Sequence, residues 1–181
     1  MHTLKKYAQE SDVIVEMGVR WVVSTYAFAV SKPKKFISID LYHPSHWGLE
    51  YGERLTDIQE YCKNNNTEYS FIQKNTLDVD IPETDLLFID TLHAYGQLKE
   101  ELKKHANKVK KYIIFHDTTS YENQDEPASI NEPKIGEVSN LLEKHKSGLW
   151  PAIEEFLSEN KNWSVFERYT NNNGLTILKR Y

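Results

Sequence analysis

The chain has 181 residues, with 22 Lys and Arg against 27 Asp and Glu and a formal net charge of −5. That length fits one domain, residues 1–181, with a proper core, and the negative balance argues against a nucleic-acid backbone as the main partner. Cys62 is the single cysteine and no run of 18 apolar residues occurs, so an intrachain disulfide and a membrane-spanning helix are excluded and a cytoplasmic protein is expected.

Residues 1–11 read as a short polar helix or arm, without the apolar centre of a signal peptide. Residues 13–15 are an apolar strand, and Gly18 marks a turn. Apolar residues at 19, 22, 23, 26, 27 and 30 then repeat with the period of an amphipathic helix. The pattern predicts that helix from the turn to about Ser31, with Pro33 enforcing the stop. Phe36-Ile37-Ser38-Ile39-Asp40 is a second strand ending in an acid. In open α/β sheets a nucleotide-like ligand sits where strand passes into helix. The interval from Gly18 to Asp40 is close to that expected between a glycine turn and a ribose-binding carboxylate. The alternative at Asp40 is a strand-ending acid that caps the next turn.

The loop Tyr42-His43-Pro44-Ser45-His46-Trp47-Gly48 either covers a ligand or packs as a surface turn. Residues 50–64 read as a helix and 69–73 as a third strand. Lys74-Asn75-Thr76-Leu77-Asp78 follows where nucleotide-binding sheets meet the base, which makes Thr76 a candidate contact. Residues 85–90 form a fourth strand whose all-apolar centre requires cover on both faces. A helix over 94–107 buries Leu98 and Leu102, with Glu100 and Lys104 as a supporting pair. Residues 112–117 form a fifth strand, again ending in an acid. The long acidic segment 118–134 is expected to be a mobile loop at the substrate side, and 134–146 a short helix through Ile135, Val138 and Leu141 or Leu142. A helix from Leu149, a strand over 163–169, an Asn171-Asn172-Asn173-Gly174 turn and a return strand close the chain. The expected fold is an α/β, Rossmann-like sheet of seven strands with helices on both faces. It is mostly parallel, with an antiparallel hairpin strand placed beside the fifth.

Glu16-x-Gly18 resembles the first motif of class I S-adenosylmethionine (SAM)-dependent methyltransferases. Phe88-Ile89-Asp90-x-x-His93-x-Tyr95, followed by Tyr112-Ile113-Ile114-Phe115-His116-Asp117-Thr118, resembles one branch of them. That branch includes the metal-dependent sugar and macrolide O-methyltransferases and the cephalosporin-hydroxylase-like proteins. The blocks Gly148-Leu149-Trp150-Pro151 and Asn171-Asn172-Asn173-Gly174 are similar to members of it as well, so the resemblance spans residues 13–179. It implies methyl transfer from SAM to a hydroxyl of a sugar or small metabolite, with Mg²⁺ assistance. Glu16, Gly18, Arg20, Ser24, Asp40 and Thr76 are the implied cofactor contacts, Arg20 and Ser24 lying four apart on the expected helix. The chain departs from the motif in having one glycine, with Trp21 where a small residue is usual.

Methylating a hydroxyl requires placement of the acceptor and removal of its proton. A divalent metal eases the second step, and Mg²⁺ favours carboxylate and water ligands. Asp90 and Asp117 end strands that, as neighbours, lie about 4.8 Å apart, close enough to share one ion. His116 is a third ligand, a substrate contact or a packed side chain. His93 is a general base working with Asp90, or a histidine that fixes the turn. Two other readings stay open: a non-catalytic ligand-binding protein on the same fold, and another nucleotide-cofactor enzyme such as an oxidoreductase. The expected partner is a small molecule; neither nucleic acid nor membrane is expected, and a homo-oligomer is left open.

Overall fold

The structure is a computed structural model and describes residues 2–127, 142 and 145–181. Strands β1 (Val13–Met17), β2 (Lys35–Asp40), β3 (Glu68–Gln73), β4 (Thr84–Ile89), β5 (Val109–His116), β6 (Trp163–Tyr169) and β7 (Leu175–Arg180) form one sheet in the order β3-β2-β1-β4-β5-β7-β6. β1 to β5 pair in parallel, and β7 runs antiparallel between β5 and β6. The described helices are α1 (His2–Ala8), α2 (Val23–Ala29), α3 (Leu49–Asn64), α4 (Tyr95–His105) and α5 (Leu149–Glu159).

Alternate strand residues point to opposite faces, and here both faces are apolar. Ile14, Phe36, Leu86, Phe88 and Ile114 pack with Leu4, Phe28, Leu55 and Ile58 from α1, α2 and α3. Val15, Met17, Ile39, Leu87 and Ile113 pack with Leu98, Leu102, Ile153 and Phe156 from α4 and α5. Two-sided burial is why the central strands read as unbroken apolar runs. Asn172, Asn173 and Gly174 all have positive φ, as a tight hairpin turn between β6 and β7 requires. Among the described residues no helix is long and apolar enough to cross a membrane.

The helix after Gly18 departs from its sequence expectation. It starts at Val23, because Arg20 (φ 39°) and Val22 (φ 67°) are left-handed and the chain spirals through an irregular turn first. The seven-residue helix therefore has a different phase: Thr25, Ala27, Phe28 and Ala29 are buried, whereas Val23 and Tyr26 are exposed. Arg20 and Ser24 consequently do not share a helical face. Glu100 pairs with Lys103 at 3.6 Å, and Lys104 instead donates to the Leu77 carbonyl at 2.6 Å.

The expected loop over 118–134 is described only as far as Pro127, and that part is tied down. Asn173 O accepts from Thr119 N and Ser120 N, and Tyr121 O accepts from Leu149 N. Asp125 Oδ1 accepts from Tyr95 N and Gly148 N, both at 2.7 Å, so one carboxylate oxygen braces the starts of α4 and α5. Residues 128–134, and most of the helix expected over 134–146, lie outside the described residues.

Candidate active site

A cavity of about 1090 Å³ opens at the carboxyl edge of the parallel strands. Its wall is built from the turn after β1 (Gly18 to Trp21), the end of β2 (Asp40), Asn75 and Thr76 after β3, and Asp90 to His93 after β4. His116, Asp117 and the tip of the β6–β7 hairpin complete it. This is the edge at which open α/β sheets bind ligands.

Gly18 makes the turn possible. Its φ is +88°, and a Cβ there would stand 1.9 Å from the Asp90 carbonyl oxygen. Its N–H donates to Ile39 O, so the ends of β1, β2 and β4 meet at this residue. Asp40 stabilises the irregular turn: Oδ2 accepts from Val19 N (2.7 Å) and Arg20 N (3.0 Å), and Oδ1 accepts from Tyr42 N (2.9 Å). A carboxylate offers about four acceptor positions, so these three donors leave about one, on a residue that lines the cavity. The Arg20 guanidinium stacks over Trp21 and Trp47, 4.4 and 5.0 Å from their rings.

Glu16 does not line the cavity. It is fully buried beneath the turn, where Oε1 accepts from Ser24 (2.6 Å) and Thr25 (3.1 Å) and Oε2 from Ser38 (2.7 Å). Burial raises its pKa to about 7 against the pull of those three hydroxyls. Between its ordinary value near 4.5 and about 7 the folded state therefore holds a proton that the unfolded chain releases. Stability falls as pH rises through that window. Glu16→Gln removes the titration, so its stability relative to the parent protein should gain about 2–3 kcal/mol between pH 4.5 and 8. Urea unfolding of both proteins at the two pH values measures this; parallel pH profiles would contradict it.

Thr76 is buried at the cavity wall, and its hydroxyl donates to Glu101 Oε1 at 2.5 Å. Glu101 also accepts from Gln97 (2.7 Å) and Thr91 (2.9 Å), which ties the loops after β3 and β4 to α4. Burial raises the Glu101 pKa, with Thr76, Gln97 and Thr91 opposing.

The far wall holds the titratable cluster. Ile89 lies opposite Phe115 in the β4–β5 register, so Asp90 comes beside His116. Asp117 then bends back through a left-handed φ of 57°. This bend overrides strand alternation: Asp117 and His116 face each other, with Nδ1 and Oδ1 2.8 Å apart but out of line for a hydrogen bond. His93 enters from the turn before α4. Its Nε2 lies 3.1 Å from Asp90 Oδ1 and 3.3 Å from Asp117 Oδ2, and its Nδ1 2.8 Å from Glu126 Oε2. Tyr121 stacks on the imidazole at 4.8 Å. Asp90, His93 and Asp117 together form a group able to hold a metal ion; His116 stands beside it.

Burial disfavours charge on His93, but hydrogen bonds to Asp90 and Glu126 outweigh this and raise its pKa to about 9. His116 rises to about 10, again against burial, through Asp117 and Asp90. The two imidazoles in turn hold Asp90 far below the usual carboxylate range despite its burial.

Sequence reasoning missed Glu126, Glu101 and Tyr121 as parts of this site, and offered Trp47 only within a loop that covers a ligand or packs as a turn. Glu126 lies 33 residues beyond His93 in an aperiodic acidic stretch, and no local pattern singles it out. Trp47 was visible only as one aromatic in an odd loop.

No protein-family model matches the chain, and no curated protein matches it by sequence. Solved structures do match. A protein provisionally assigned as a caffeoyl-CoA O-methyltransferase from Staphylococcus aureus superposes over 100% of this chain and 84% of its own, with TM-score 0.62 and 15% identity. The O-methyltransferase TomG of Streptomyces achromogenes, solved in complex with SAM, matches over 98% and 78% with TM-score 0.62 and 13% identity. An O-methyltransferase from Bacillus cereus, in complex with S-adenosylhomocysteine (SAH), matches over 99% and 81% with TM-score 0.59 and 12% identity. The chain has the class I SAM-dependent methyltransferase fold. At these identities the likeness is one of fold. In this chain the strand order, with antiparallel β7 beside β5, places the Gly18 turn and the Asp90–Asp117 cluster on one edge.

Proposed function

We propose that the chain is a SAM-dependent O-methyltransferase acting on a hydroxyl of a sugar or small metabolite. A divalent cation assists, Mg²⁺ being the ion that the family resemblance implies. The observation that carries this reading is the convergence of Asp90, His93 and Asp117 in the same cavity as the Gly18 turn and Asp40. Two neighbours of this fold are complexes with SAM and SAH, which supports SAM as the cofactor. The free buried Cys62 accords with a cytoplasmic setting.

The cavity suits a cofactor and an acceptor side by side. Its volume exceeds the range of about 300–1,000 Å³ usual for one small ligand. β2 and β5 stand three strand spacings apart, about 14 Å. Asp40, Asn75 and Thr76 would hold the nucleoside at one end. Arg20, the one Lys or Arg among the described residues that line the cavity, would meet the carboxylate, whereas the Ser24 hydroxyl already gives its proton to Glu16. Bound SAM supplies a methyl group on a sulfonium, and a cation at Asp90 and Asp117 lowers the pKa of a hydroxyl beside it. The chain's own residues place that hydroxyl, exclude water through the Tyr121–His93 stack, and accept the proton at His93 or Asp90.

Titration calorimetry with SAH tests the reading. Micromolar binding is expected, and silence at millimolar SAH would overturn it. A second reading, a ligand-binding protein on the same fold, is favoured by one feature: three backbone N–H groups already occupy Asp40. The same calorimetry separates the two.

A further inference from the structure

Three atoms able to ligate a metal converge where β4 and β5 end. His93 directs Nδ1 to Glu126 Oε2 at 2.8 Å, and Glu126 N donates back to His93 O at 2.8 Å, a tether from both sides. With an Nδ1–H donating to that carboxylate, Nε2 presents its lone pair once a cation displaces the proton it shares with Asp90. Nε2 lies 3.1 Å from Asp90 Oδ1 and 3.3 Å from Asp117 Oδ2. Three such atoms repel one another unless a proton or a cation stands between them. The spacing suits a cation: metal–ligand bonds of about 2.0–2.1 Å put adjacent ligand atoms about 3.0–3.4 Å apart. His116 brings a second imidazole to the same place. Its Nδ1 lies 3.5 Å from Asp90 Oδ1, and both Nδ1 and Asp117 Oδ1 are buried without a hydrogen-bond partner.

We infer that Nε2 of His93 joins Asp90 and Asp117 as a metal ligand, and that this mixed imidazole–carboxylate centre prefers a first-row transition ion such as Mn²⁺, Co²⁺ or Zn²⁺ to Mg²⁺. The inference rests on the metal-assisted reading above and changes its ion. Mg²⁺ selects oxygen ligands and keeps its waters, whereas imidazole nitrogen suits transition ions. Glu126 acts as a positioning residue: a carboxylate behind a ligating histidine fixes its tautomer and ring orientation.

The test uses chelator-treated full-length protein titrated by calorimetry with CoCl₂, MnCl₂ and MgCl₂. Co²⁺ should bind at least about a hundredfold tighter than Mg²⁺. Pulsed EPR of the Mn²⁺-loaded protein should show ¹⁴N coupling from imidazole that weakens in His93→Gln. Glu126→Gln leaves the three ligands in place and should lower Co²⁺ affinity by about 10–100-fold, with Mg²⁺ affinity unchanged. Equal affinity for Co²⁺ and Mg²⁺, or a nitrogen coupling unaltered in His93→Gln, overturns imidazole ligation by His93 and leaves carboxylate-held metal assistance intact. No binding of any of the three ions at millimolar concentration overturns both, while SAH calorimetry reports separately on the cofactor.

Discussion

Asp117→Asn and Asp90→Asn are each expected to lower methyl transfer by about 10³-fold, the loss of several kcal/mol of charge stabilisation at the acceptor. Affinity for SAH should not change, because neither residue lies at the Asp40 end of the cavity. Asparagine suits position 117 for a separate reason: the backbone there is left-handed (φ 57°), a region that Asn and Asp tolerate better than other side chains. The substitution therefore removes a charge without unfolding the turn. The hairpin tip that seats on Thr119 and Ser120 remains in place. The measurement is single-turnover transfer with and without a chelator, alongside SAH calorimetry. Full activity in the chelator, or in either variant, would show that these carboxylates hold no assisting ion.

Gly18→Ala is the substitution expected to cost the fold most. The added Cβ meets the Asp90 carbonyl, a backbone atom that cannot rotate away, and the φ of +88° penalises any side chain. Left-handed backbone costs about 1–2 kcal/mol and forced overpacking about 1–3 kcal/mol more, for a total of about 2–5 kcal/mol. A domain of this size loses about 2–4 °C of melting temperature per kcal/mol, so a fall of about 10 °C is expected. Because the clash is with Asp90 itself, Gly18→Ala should also displace a metal ligand. Co²⁺ affinity should fall together with stability. A variant that melts within a degree of the parent would show that the ends of β1 and β4 have room to separate.

Some of this architecture was readable from local pattern. Val13 to Val15, Leu86 to Ile89 and Ile113 to Phe115 are apolar on both faces because helices cover both faces, and that burial is written directly into composition. Asn171 to Gly174 announced a hairpin because its residues tolerate positive φ. The phase of α2 was not readable. Val19, Val22, Val23 and Tyr26 have helical spacing, yet positive φ at Arg20 and Val22 starts the helix later and leaves Val23 and Tyr26 in solvent. Two backbone angles outweighed a periodicity that is only a statistical guide.

By itself the sequence determined the order of elements, the acids that end β2, β4 and β5, and the edge of the sheet they occupy. Periodicity and turn chemistry are local, and a parallel sheet places its strand ends on one edge without further instruction. The tertiary structure alone decided what those acids do. Asp40 turns to the backbone of residues 19, 20 and 42, and Glu16 withdraws beneath the turn. His93 comes between Asp90 and Asp117, held by a Glu126 that lies 33 residues away in sequence. Such convergence depends on single dihedral angles and on contacts between distant segments, and neither has a period that a linear pattern can carry.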